Sequence, residues 1–265
     1  MNRIPGYNPS VTSPIVGPDP ASPITHATYF DDFFEGGFTK DEGLTDETHN
    51  TGKFTNIAEG GAWNVSFHSG GDGVSTDETL HIANAGDFGV LQMVTDADDD
   101  DVLSMQLNGE AFKLAAGRTI VFETRISVDD ADTIDLFIGL GIDDVLPITA
   151  ISDYVGFGLV DGDPTVMCLT GKNSTGEAVV TGNGTTLTDS ATDFSDGTAS
   201  TNFIVCRFVA TSEQVDFYLD GTHIVSHTGA NIPDDEHLTP TVAIRNGSAA
   251  VSTVNIDYIY CSSTR

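Results

Sequence analysis

Residues 202–226, reading NFIVCRFVATSEQVDFYLDGTHIVS, constrain this chain more than any other stretch. Ile204, Cys206, Phe208 and Ala210 share one parity, and so do Val215, Phe217 and Leu219. Successive side chains on an extended backbone point to opposite faces, so a period of two marks a strand half-buried on a sheet. A polar turn joins the first two runs, and Asp220-Gly221 leads into a third. The stretch therefore reads as a three-stranded antiparallel meander.

The same alternation recurs along the chain. Ile120, Phe122, Thr124, Ile126 and Val128 share a face, and after the acidic turn Asp129-Asp130-Ala131-Asp132 so do Ile134, Leu136, Ile138 and Leu140. These two runs read as a strand pair. Tyr154 to Val160 and Thr165 to Thr170 read as a hairpin, and Val254, Ile256, Tyr258 and Tyr260 alternate on a closing strand. Between residues 171 and 200 apolar density falls, which marks a surface excursion. No segment of more than a few residues has helical periodicity. With 28 Gly for turns and 15 Phe and 6 Tyr for a core, the expected fold is all-β. It spans residues 28–265 with a dozen to fourteen strands, more than an immunoglobulin domain holds.

Residues 1–27 differ in kind. Pro5, Pro9, Pro14, Pro18, Pro20 and Pro23 are six of the ten prolines, and proline excludes both helix and inner strand. This segment is expected to run as an extended arm, partly as polyproline II. At about 3.1 Å per residue it would reach roughly 80 Å. Its isolated apolar residues, Ile4, Tyr7, Val11, Ile15 and Ile24, are the candidate contacts with a partner.

Forty acidic residues against ten basic ones give a formal net charge of −30. Such a surface repels nucleic acid and anionic membranes, so neither is an expected partner. The densest acidic run is Asp96-Ala97-Asp98-Asp99-Asp100-Asp101. Asp98, Asp99, Asp100 and Asp101 are the candidates for calcium, set against a solvated turn; the run lacks the spacing of a calcium-binding loop. No metal or other cofactor is expected. Cys168, Cys206 and Cys261 have neither zinc-site spacing nor an even count for a disulfide framework.

The sequence carries no catalytic constellation. A glucanase needs two carboxylates a few ångströms apart, commonly on alternate residues of one strand. Glu123 has Arg125 as its same-face neighbour, and a pairing of Glu123 with Asp135 is equally met by a solvated sheet face. His223 and His227, four apart on a strand, would share a face but lie about 13 Å apart, too far for one metal. There is no nucleophile elbow, phosphate loop or dinucleotide fingerprint. The expectation is a protein that is not an enzyme. Trp63 and Tyr154 are the ring candidates for carbohydrate contact, with packing in the core the plainer role for Trp63.

Several short motifs carry a resemblance. Val215-Asp-Phe-Tyr-Leu-Asp-Gly221, then Leu238-Thr-Pro240, Val242-Ala-Ile244 and Val254-Asn-Ile-Asp-Tyr-Ile259, resemble the C-terminal half of concanavalin A-like domains. Phe30-Asp-Asp-Phe33 is similar to their opening strand. That resemblance implies a two-sheet jelly-roll sandwich over residues 28–265 and admits lectins, laminin-G-like modules and glucanases. The run Asp129 to Leu140, with the proline-rich arm, also resembles structural proteins of marine tailed bacteriophages. This second resemblance implies a capsid decoration or cement protein on the outer surface of the virion, made in the host cytoplasm. It would be a homotrimer whose arm lies across subunits of the major capsid protein. The alternative is a lectin-like carbohydrate-binding module or tail adhesin on the same fold, using Trp63 or Tyr154.

Overall fold

The computed structural model describes residues 26–31, 33, 50–55, 62–68, 79–82, 89–144, 148, 151–180 and 203–264. Sixteen strands lie within them: β1 (His26–Asp31), β2 (Asn50–Thr55), β3 (Ala62–His68), β4 (Thr79–Ile82), β5 (Leu91–Val94), β6 (Val102–Leu107), β7 (Ile120–Val128) and β8 (Ile134–Gly141), then β9 (Tyr154–Val160), β10 (Asp163–Lys172), β11 (Thr175–Val180), β12 (Ile204–Ala210), β13 (Gln214–Leu219), β14 (Thr222–Thr228), β15 (Thr239–Asn246) and β16 (Thr253–Thr264). They form two eight-stranded sheets. The first has the order β14-β13-β12-β7-β16-β5-β4, with β1 also paired to β16. The second runs β11-β10-β9-β8-β15-β6-β3-β2.

The meander is present as β12, β13 and β14, in antiparallel register. Its alternation is the packing pattern: Ile204, Cys206, Phe208, Ala210, Val215, Phe217 and Leu219 are all buried. The hairpin of β9 and β10 also forms, with a register shift between Asp163 and Met167. The expected pairing of β7 with β8 does not. β7 lies between β12 and β16 in the first sheet, and β8 lies between β9 and β15 in the second. A 3-10 turn over Ala131–Thr133, capped by the Asp130 side chain, carries the chain from one sheet to the other. Alternation fixes which side chains face the core. It is silent on whether the next strand lies beside its predecessor or opposite it. The expected excursion after residue 171 holds a strand, β11, at the edge of the second sheet. The candidate arm residues Ile4, Tyr7, Val11, Ile15 and Ile24 lie outside the described residues.

Phenylalanines join the sheets. Phe122 of β7 stacks on Phe208 of β12, with centroids 5.1 Å apart and planes 12° from parallel. From the opposite sheet Phe157 of β9 meets Phe217 edge-on at 5.3 Å and Phe208 at 6.4 Å. Asp31 ties the sheets at another point. Its carboxylate accepts the Trp63 Nε1–H at 3.1 Å and the Tyr29 hydroxyl at 3.0 Å, linking β1 to β3. Asn246, fully buried, closes a third corner. Its side-chain amide donates to the Asp96 and Asp98 carbonyls, and its Oδ1 accepts the Thr95 hydroxyl at 2.6 Å.

Phe208 touches rings from both sheets and has no exposed surface. Phe208→Ala is expected to cost about 3–5 kcal/mol, read as a lower denaturation midpoint in urea. A loss below 1 kcal/mol would contradict the placement of this ring at the centre of the core.

Candidate functional site

The second sheet presents a face directed away from the core. On β8 the buried core members are Ile134, Leu136, Ile138 and Leu140, so Asp135, Phe137, Gly139 and Gly141 belong to the other face. On β9 Val155, Phe157 and Leu159 pack inward, which puts Tyr154, Gly156 and Gly158 on that face as well. Phe137 pairs with Gly158, and Tyr154 with Gly141 on one side and Gly171 on the other. The half-buried Tyr154 ring stands edge-on to Phe137, centroids 5.9 Å apart at 79°. It covers Gly171, where a Cβ would come within 2.3 Å of it. Burial raises the Tyr154 pKa above the ordinary phenol value, so at neutral pH the hydroxyl is a hydrogen-bond donor.

Polar groups fix the neighbourhood of this ring. Gln106 donates to the Ile142 carbonyl at 2.8 Å and to the Thr241 hydroxyl at 2.9 Å, and accepts the Asp144 amide at 2.8 Å. It thereby pins the segment leaving β8. Ile151 occupies the space where a Cβ on Gly141 would stand, 2.1 Å from its Cδ1. Asp135, the carboxylate that β8 presents, accepts Arg245 Nε at 2.8 Å and the Asp161 amide at 3.0 Å. It is 7% exposed and committed to its arginine.

The other candidates fall elsewhere. Glu123 lies on the outer face of the first sheet, where it accepts the Tyr258 hydroxyl at 2.9 Å and has Arg207 at 3.9 Å. Glu123 and Asp135 therefore sit on opposite outer faces, with a sandwich about 10 Å thick between the sheets, whereas a retaining carboxylate pair stands about 5 Å apart. The expected shared face of His223 and His227 is also corrected. A register shift after Phe217 pairs Val225 with Phe217 but His223 with Tyr218, reversing the parity. His227 is buried against Phe217 and 3.0 Å from the Thr170 hydroxyl, while His223 is exposed beside Asp216.

Trp63 has no exposed surface and packs against Tyr29 with its indole N–H on Asp31, which removes it as a ring for sugar. Of the acidic run, Asp96, Asp98 and Asp101 bring carboxylate oxygens within 4.8 Å of one another. Asp99 and Asp100 are outside that group, and Asp100 instead has Arg245 at 3.7 Å. The three oxygens are the hard donors that a calcium ion takes. Asp96 was absent from the sequence candidates because only the fold of the loop around Asn246 brings it to Asp101. The free thiols are all buried. Desolvation pushes Cys168 up to about 12 and holds Cys206 and Cys261 well above the ordinary range.

Two sets of residues escaped sequence reasoning. Phe137 was hidden behind its apolar neighbours, although it shares the parity of Asp135. Phe30, Tyr258 and Tyr260 form one aromatic group on the outer face of the first sheet. Their positions are more than two hundred residues apart, and only the β1–β16 pairing unites them.

No family model matches the sequence, and no curated protein matches it. Solved structures do match, over most of the chain. A structure of the endo-acting O-glycanases with which human gut microbiota initiate mucin breakdown has a TM-score of 0.55 at 11% identity, covering 88% of this chain and 97% of that one. The non-specific endo-β-1,3(4)-glucanase SCLam, of family GH16, has 0.54 at 12%, covering 92% and 93%. The endo-1,3-β-glucanase of Streptomyces sioyaensis has 0.51 at 13%, covering 93% and 99%. The fold is a concanavalin A-like jelly-roll sandwich. At these identities the likeness is one of fold. It nevertheless overturns the expectation of a protein that is not an enzyme: the three structures named, which share this sandwich across its length, are of endo-glucanases and an O-glycanase. None of the three is a capsid decoration protein.

Two outcomes check this geometry. Arg245→Met removes the charged partner of Asp135, leaving it the Asp161 amide, and is expected to cost about 1.5–3 kcal/mol of stability, measured by denaturant titration. A thiol reagent at pH 8 should label none of the three cysteines in the native protein and all three in guanidinium, since only the thiolate reacts. Rapid native labelling would refute the packing.

Proposed function

We propose that this chain acts on carbohydrate, with Tyr154 the ring against which a sugar packs. The observation that carries the reading is the placement of that ring. It is half-exposed on the face of the second sheet, held upright by Phe137 and Gly171, with its hydroxyl protonated. A rigid aromatic face with a donor at its edge is what a pyranose requires, apolar C–H groups on one side and hydroxyls at the rim. The fold supports the same reading, because the endo-glucanases and the O-glycanase named above are built on this sandwich.

The partner is then a polysaccharide or glycan chain. The chemistry available at the Tyr154 face itself is recognition: Asp135 is spent on Arg245. A carboxylate pair for glycosidic cleavage is not assembled by the described residues of β8 and β9.

The test is titration of the full chain with laminarin, lichenan and mucin O-glycans, following bound heat and released reducing ends together. Binding to at least one is expected. Tyr154→Ala should weaken it about tenfold, the loss of roughly 1.4 kcal/mol of ring contact. If none of the three glycans binds or is cleaved, or if Tyr154→Ala binds as well as the parent chain, the reading fails.

A further inference from the structure

The outer face of the first sheet carries a row of side chains that the site above does not use. Strand register sets Phe30 beside Tyr260, Tyr260 beside Glu123, Glu123 beside Arg207, and Arg207 beside Tyr218. Tyr258 joins the row, its centroid 6.1 Å from Phe30 and its hydroxyl on Glu123. Arg125 lies over the Phe203 ring at 4.3 Å and is paired with Asp257 at 2.6 Å. Phe30, Phe203, Tyr218, Tyr258 and Tyr260 are all half-exposed. The charges among them are paired, so this is an aromatic and nearly neutral strip on a chain of net charge −30.

We infer that this strip is the docking site of the chain's own N-terminal segment, residues 1–25. Proline-rich segments in the polyproline II conformation dock on aromatic-lined surfaces, because their stiffness leaves little entropy to lose. This segment holds six of the chain's ten prolines, interspersed with Ile4, Tyr7, Val11, Ile15 and Ile24. Its charged side chains are Arg3 and Asp19, one of each sign, so the acidic body does not repel it. Delivery follows from where the segment ends. Thr25 precedes β1, and Phe30 of that strand is itself a member of the strip.

Length permits the contact. From Phe30 to Tyr218 the row crosses five strands, about 19 Å at 4.7–4.9 Å per strand. Polyproline II covers that distance in roughly six residues at about 3.1 Å each. The remainder of the segment is ample for the turn back from β1. A tethered segment also acts at millimolar effective concentration, which favours docking within one molecule over docking between copies.

The buried native thiols make a selective test available, since a single cysteine introduced by Ser10→Cys is the reactive one. A nitroxide there, on the full chain, should give a slow-motion electron paramagnetic resonance component that persists on dilution to nanomolar concentration. Tyr258→Ser with Tyr260→Ser should abolish that component. Pro9→Gly with Pro14→Gly, which leaves the sandwich untouched, should abolish it too. Fast motion in the parent chain would overturn the inference, as would a slow component that survives both variants. A slow component lost on dilution would place the segment on another copy and equally overturn it.

Discussion

Burial of phenylalanine between two sheets is the constraint on which this molecule depends. A sandwich has no helix to cover its inner faces, so each sheet must be the other's apolar partner. Phe122, Phe208 and Phe217 from the first sheet and Phe157 from the second supply the contact. Each ring buried contributes about 1.5–3 kcal/mol in transfer free energy, and their offset and edge-on geometries add about 0.5–1.5 kcal/mol per pair. Because the inner faces are committed in this way, everything available for recognition lies on the two outer faces and in the loops.

The polar residues divide along the same line. Two buried carboxylates have partners fixed by the sheet register: Asp135 opposite Arg245 on neighbouring strands, Glu123 between Tyr258 and Arg207. The loop of the acidic run is held by a buried polar anchor instead, Asn246, whose side-chain amide donates to the Asp96 and Asp98 carbonyls. An anchor of this kind replaces the hydrogen bonds that a loop backbone would otherwise lose on burial. The clustering of Asp96, Asp98 and Asp101 is a consequence: the loop wraps Asn246, and its carboxylates are left side by side.

The two outer faces are chemically different. The second sheet is small-residue and aromatic around Tyr154, with glycines where a neighbour or a ring must lie close. The first is a strip of rings and paired ions. A glycan on the Tyr154 face and a proline-rich segment on the opposite face would not compete, because the sandwich separates them.

Much of the fold was legible in the sequence because strand alternation is a local property. The parities of β7, β8, β12 and β13 named their core residues directly, and Asp220-Gly221 named the turn into β14. The site was far less legible. Tyr154 and Trp63 could both be nominated from residue type, with core packing the plainer role for Trp63. Yet one stands half-exposed over a glycine while the other is sealed against Asp31, since burial depends on what the opposite sheet supplies. The separation of Glu123 from Asp135, the reversal of His223 against His227, and the union of Phe30 with Tyr258 and Tyr260 were settled by tertiary structure alone. Each depends on which strand lies beside which. Strand neighbours are chosen by the closure of the whole sandwich, and that choice leaves no mark on any single stretch of sequence.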